Sequence, residues 1–266
     1  MEARDVIKSV ENIYPISEPV LEFLLNHIGN PDPKIRDEVV YGAWYKLIKE
    51  HKLMQSQKLN ILQRVLRDRF LLHGLGTPNN NTVLKRSFTA LLLTLLLEDS
   101  NNSNWISIEN QIEIMDQVLF WLTVESDFRG LDENLGWVHA FAHGADLLTE
   151  IVKMEYFSKN ESRKILDIIK RIMIIDDMLL WGEEDRISIV IVQLFKTNNI
   201  KEDILNDWIL EVGKSIDSWE SSKKWSTFLQ SLYFKIKFED LLSNNIKHII
   251  ESFLFQQYQD KDGLLS

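Results

Sequence analysis

A helical period runs through almost the whole of this chain and restricts its fold more than any other feature. From Glu18 to Phe255 apolar side chains return every three to four residues, and no segment alternates strictly between apolar and polar as a half-buried strand does. Only 10 glycines and 5 prolines punctuate the 266 residues, and no glycine-rich loop is present. The period predicts helices over residues 18–27, 34–50, 56–70, 83–98, 109–124, 136–154, 161–175, 184–197, 202–215, 223–238 and 240–255. The breaks between them have local causes. Asn30-Pro31-Asp32-Pro33 excludes helix before Lys34, and Pro33 suits a first turn. Gly74-Leu75-Gly76-Thr77-Pro78 ends one helix and Thr82 can cap the next. Ser158 and Glu161 are spaced as a capping box, and Asn198-Asn199 stops the helix before it.

About eleven helices joined by short links predict an all-α protein with antiparallel neighbours. Helix pairs recur at about 40 residues, the length of HEAT-type repeats. Asp32-Pro33-Lys34-Ile35-Arg36 resembles the turn and second-helix entry of such a repeat. The expected fold is therefore an irregular α/α superhelix, a HEAT-like solenoid, forming a single domain over residues 1–266. The polar stretch Asn198–Asp203 is the one seam, with residues 200–257 as a C-terminal helical extension.

Several function classes are disfavoured. Without cysteine there is neither a disulfide frame nor a thiolate metal site. A net charge of −10 repels phosphate backbones and anionic membranes, and no basic stripe with interleaved aromatics offsets it, so nucleic acid is not an expected partner. The longest apolar run, Ala90–Leu97, is far short of the roughly 20 residues of a membrane span. Met1–Asp5 shows no basic start to a leader, and a cytoplasmic location is expected.

The chemically unusual stretch is Arg129–Glu150. On a helix from Gly136, residues His139, His143, Asp146 and Glu150 share one stripe, while Trp137, Val138, Phe141, Ala145, Leu148 and Val152 share the opposite one. Two imidazoles at i and i+4 lie about 6 Å apart, so His139 and His143, with Asp146 a turn further on, could hold zinc or manganese. Equally, the two histidines could be hydrogen-bonded to Asp146, Glu150 or loop carbonyls. The intervening Ala140-Phe141-Ala142 removes the glutamate base of an H-E-x-x-H protease, and no adjacent His-Asp doublet is present. Glu125, Asp127, Arg129, Asp132 and Glu133 crowd the preceding loop, where Arg129 either pairs with a carboxylate or reaches an anionic ligand. Arg86, on a mostly apolar helix, needs a partner. Glu183, Glu184 and Asp185 suit a helix start. Ser87 has no histidine near it in sequence, and no nucleophile, phosphate-loop or dinucleotide motif is present.

These elements also form a pattern. Arg36-Asp37, Arg86-Ser87-Phe88, Arg129-Gly130, then Gly136-Trp137-x-His139-Ala140-x-Ala142-His143-x-Ala145-Asp146-Leu147-Leu148, and finally Glu183-Glu184-Asp185-Arg186, resemble a bacterial family known only as a domain of unknown function. The resemblance covers residues 30 to 195 or so, and implies a helical fold with no established activity. Two readings follow from the residues. One is a module that binds a protein or small ligand in a groove lined by Arg86, Arg129, His139, His143, Asp146 and Glu150. The other is a metal-dependent or acid–base enzyme of hydrolase type that uses His139, His143 and Asp146.

Overall fold

The computed structural model describes residues 2–12, 14–77 and 80–262, and it is helical almost throughout. Among these residues twelve α-helices follow in order: α1 Ala3–Asn12, α2 Glu18–Asn26, α3 Gly42–Lys49, α4 Gln55–Arg67, α5 Thr82–Ser103, α6 Ile108–Val124, α7 Ala140–Ile151, α8 Lys159–Ile174, α9 Glu183–Lys196, α10 Glu202–Lys214, α11 Trp219–Phe238 and α12 Asn244–Asp262. A π-helical segment, Lys34–Tyr41, runs directly into α3, so the expected helix 34–50 is one element with a widened first half. Pro78, in the turn anticipated over 74–78, lies outside the described residues. Among the described residues no helix is long and apolar enough to cross a membrane.

Two compact units divide the chain, Met1–Tyr156 and Phe157–Ser266. The polar stretch Asn198–Asp203 lies within the second, where it links α9 to α10.

In the first unit α5 is central. Leu84, Phe88, Leu91–Leu93 and Leu95–Leu97 are all buried, covering every side of the helix, and a helix apolar all round must be enclosed. The α3, α4 and α7 helices supply that enclosure. In the second unit α11 packs on α8, α9 and α12, while α10 lies between α8 and α12. Alternate helices meet at a nearly constant sequence distance. Gln57 and Arg64 on α4 bond to Ile16 and Glu22, separations of 41 and 42 residues. In the second unit Trp208–Leu166, Lys170–Glu211 and Lys196–Glu239 are separated by 42, 41 and 43. This recurrence is the HEAT-type repeat anticipated from helix length, and within each unit it places every second helix in the same layer.

Three departures from the sequence reading have plain causes. Ala3–Asn12 is an additional helix, held by the buried side chains of Val6 and Val10. The α11 helix starts at Trp219 rather than Lys223, because Ser218 and Ser221 cap each other reciprocally. The helix expected from Gly136 starts only at Ala140. Gly136 and His139 both have left-handed φ, +68° and +45°, which no right-handed helix accommodates. Residues 131–137 instead form a short antiparallel hairpin in which Leu131 pairs with Trp137 and Asp132 with Gly136.

Helix contacts here are close enough to forbid a single methyl group. A Cβ on Gly29 would stand 2.7 Å from Cα and 2.8 Å from the backbone nitrogen of Lys85, where the loop after α2 crosses α5. Gly29→Ala is expected to cost about 1–3 kcal/mol by overpacking. A denaturant melt of the variant with unchanged midpoint would contradict the closeness of that crossing.

Candidate functional site

In the first unit, three arginines converge on the segment Glu125–His139. Arg86 and Glu125, both buried, form a two-pronged pair with Nε–Oε2 2.7 Å and Nη2–Oε1 3.0 Å. The remaining capacity of Arg86 goes to the carbonyl of His73 and the hydroxyl of Thr82. Glu125 also accepts from Trp121 Nε1 at 2.6 Å and from the backbone N–H groups of Ser126 and Asp127. Arg129 grips Asp127 with Nη2–Oδ2 2.6 Å and Nε–Oδ1 2.9 Å, and donates to the carbonyl of Asn80. That clamp holds the Arg129 guanidinium above its ordinary pKa, through the hydrogen bond to Asp127 and against partial burial.

Arg36 also reaches the hairpin. It is fully buried and donates through Nη2 to the carbonyls of Leu135, at 2.6 Å, and Trp137, at 3.2 Å. Its Nη1 donates to the carbonyl of Asn30, and its guanidinium lies 4.6 Å over the Phe88 ring. Asp37 Oδ1 stands 2.8 Å from Arg36 Nε, a charge contact without hydrogen-bond alignment. Burial lowers the pKa of Arg36 and raises that of Asp37, and their mutual attraction offsets part of each. Gly136 is needed at this point, since a Cβ would meet Pro33 at 3.0 Å and the φ is left-handed.

Ser87 lies on α5 beside the end of the hairpin. Its Oγ bonds to the carbonyl of Val138 and stands 2.7 Å from His143 Nδ1. A carbonyl only accepts, and a hydroxyl has one proton, so Ser87 donates to Val138. His143 Nδ1 must then carry its own proton and donate to Ser87. This polarity is opposite to that of a base activating a nucleophile, in which the imidazole nitrogen accepts the serine proton. The sequence separation of 56 residues concealed this pair. The rings of His143 and Phe88 stand nearly perpendicular, centroids 5.4 Å apart.

The six residues expected to line a groove have different settings. His143 and Glu150 are buried, Asp146 is half-buried on the same helix, and Arg86 is interior. Glu150 accepts from Lys153 at 2.6 Å and from Asn101 at 3.2 Å. His139 precedes α7 rather than lying within it, with its ring stacked on Trp137 at 4.5 Å and 5.7 Å from that of His143. The Trp137 side chain, expected on the packing face, is 41% exposed, as is its cross-strand neighbour Leu131. Among the described residues no group of three or more His, Asp or Glu side chains is arranged to hold a metal ion.

The second unit holds its own buried charges. Glu183 and Glu184 begin α9 and are buried, while Asp185 pairs with Lys235. Lys224 on α11 is fully buried and donates to the carbonyls of Ile172, at 2.8 Å, and Ile175, closing the C-terminal end of α8. Burial, reinforced by the charge of Glu183, lifts the Glu184 carboxyl to about 7. Burial brings the Lys224 ammonium down to about 8, against the pull of Asp177 and Glu184.

Comparison with known families bears on the part of the chain that carries these features. A family model described as "Protein of unknown function (DUF2785)" matches residues 71–242. The chain belongs to that family. No curated protein and no solved structure matches it. The DUF2785 match begins later than the resemblance drawn from motifs and extends further, through α11 to the link before α12. Arg36-Asp37 lies outside it, and Arg86, Ser87, the hairpin, α7 and the Glu183–Arg186 element lie inside.

Two outcomes follow from the buried charges of this DUF2785 member. Arg86→Met leaves Glu125 buried without its ion partner and is expected to cost about 3–5 kcal/mol in a denaturant melt. A loss below about 1 kcal/mol would mean the pair is solvated in solution. Glu184 has a folded pKa of about 7 above its ordinary 4.5, so its contribution to stability is complete below 4.5 and is lost as pH rises through 7. Glu184→Gln removes that loss. Thermal melts should show the variant gaining over the parent at about pH 8 and not at about pH 4; an equal difference at both pH values would contradict the assignment.

Proposed function

We propose that this DUF2785 protein is a non-catalytic binding module, and that the hairpin Leu131–Trp137 with His139 is its recognition element. The observation that carries the reading is the pairing of an anchored backbone with an exposed apolar pair. Arg36, Arg129 and Ser87 hold the hairpin or its flanks from the protein side, while Leu131 and Trp137, opposite each other across the ladder, remain exposed. A loop already fixed in shape loses little conformational freedom on binding, which is the usual route to useful affinity from a small surface. Tryptophan is also the side chain most enriched among energetically dominant contacts. The polarity of the Ser87–His143 bond supports binding over nucleophilic catalysis, and the partner that fits an apolar pair beside an imidazole is another protein.

Quantitative capture of partners from cell extract tests this with the parent and Trp137→Ala. The variant is expected to melt within about 1 kcal/mol of the parent, because Trp137 is half outside the protein. It should lose at least tenfold, about 1.4 kcal/mol, in affinity for a partner that the parent retains. Equal retention by both proteins would contradict the proposal. So would hydrolysis of a simple ester or phosphoester that Ser87→Ala abolishes. A rise in melting temperature with Zn²⁺ or Mn²⁺ that His139→Ala removes would favour the metal-dependent alternative.

A further inference from the structure

The second unit contains a groove that the hairpin reading does not use. It lies between α8 and α10, two helices of one layer that run parallel. Trp208 bonds to the carbonyl of Leu166 and, about one turn further along both helices, Glu211 pairs with Lys170. The cavity is ≈ 670 Å³, within the range of ligand sites. Leu166, Ile200 and Trp208 form a buried apolar floor, and Ile204 rises from it 48% exposed.

Its charges are sorted along its length. Lys159 and Arg163 line the start of α8 and Lys201 the start of α10, with Asp203 the one carboxylate among them. Asp203 is turned back on its own helix, accepting from the N–H of Ile204. One to two turns further on, the lining charges are Asp167, Asp207 and Glu211, and of these Glu211 is paired with Lys170. Both helices also point their positive ends toward the basic end, which strengthens the gradient. From Lys159 to Asp167 is eight residues of helix, about 12 Å. An extended peptide covers that distance in about four residues.

We propose that this groove binds a short extended peptide segment of a partner protein, acidic at one end, apolar in the middle and basic at the other. The acidic end lies by Lys159, Arg163 and Lys201, the apolar residues lie on Ile204 and Trp208, and the basic end lies by Asp167 and Asp207. A ligand of one charge sign meets attraction at one end and repulsion at the other, so the groove selects charge order rather than net charge. The proposal is independent of the hairpin, and failure of either leaves the other standing.

Fluorescence polarisation with the full chain tests it, using labelled Asp-Asp-Leu-Leu-Lys-Lys and a peptide of the same composition with the charges alternated. The segregated peptide is expected to bind at least tenfold more tightly. Arg163→Glu and Asp207→Lys, both at exposed positions, should each weaken it at least tenfold while leaving the thermal melt and the binding of partners dependent on Trp137 unchanged. Equal affinity for the two peptides overturns the proposal, as does binding that neither variant weakens, or the absence of binding at about 1 mM peptide. Equal or tighter binding of a labelled hexaglutamate would make the groove a simple anion site and overturn it as well.

Discussion

The buried Arg86–Glu125 pair fixes the course of the chain in the first unit. The Glu125 carboxylate receives two prongs from Arg86, the indole N–H of Trp121 and two backbone N–H groups just beyond α6. It therefore ties the second turn of α5 to the end of α6 and sets the direction in which the next residues leave. Such a pair adds little net stability over an apolar replacement of the same shape, because both charges are desolvated. Its effect is on geometry, since an interior carboxylate with five donors has one arrangement that satisfies them all.

Everything downstream is built on that exit. Asp127 is positioned to take Arg129, Arg129 precedes the hairpin, and Arg36 donates to the hairpin's carbonyls. The last link is Ser87, whose proton goes to Val138 and which takes one from His143. Of the residues with the appearance of an active site in sequence, Arg129 and Ser87 thus bond to the flanks of the hairpin that carries two exposed apolar side chains. The proposed protein-binding role follows from that arrangement: Arg86, His143 and Glu150 are buried, and Leu131 and Trp137 are exposed.

The helical class, the stacking length and the unusual character of residues 125–150 were all legible in the sequence, because periodicity, spacing and residue type are local properties. What was not legible was long-range. The helical phase drawn from Gly136 put His139 and His143 side by side, and their rings do lie 5.7 Å apart, but left-handed Gly136 and His139 keep residues 136–139 out of α7. Trp137 consequently moved from the packing side to the surface. The need of Arg86 for a partner was readable, whereas Glu125, 39 residues away, was one of four carboxylates crowding the loop before Gly136. Lys224 carried no signal at all, since a lysine on an amphipathic helix normally reaches water, and only the fold reveals that it closes α8.

The central claim is that the hairpin is a rigid support, and amide hydrogen exchange at its closing bonds tests it most directly. The N–H of Val138 bonds to Gly130 at 2.8 Å and that of His139 to Arg129 at 3.1 Å. If the arginines hold the segment as described, both amides exchange slowly, with protection approaching that of the α5 core. Exchange of these two amides as fast as that of exposed loops, with α5 still protected, would show a mobile flap and contradict the account.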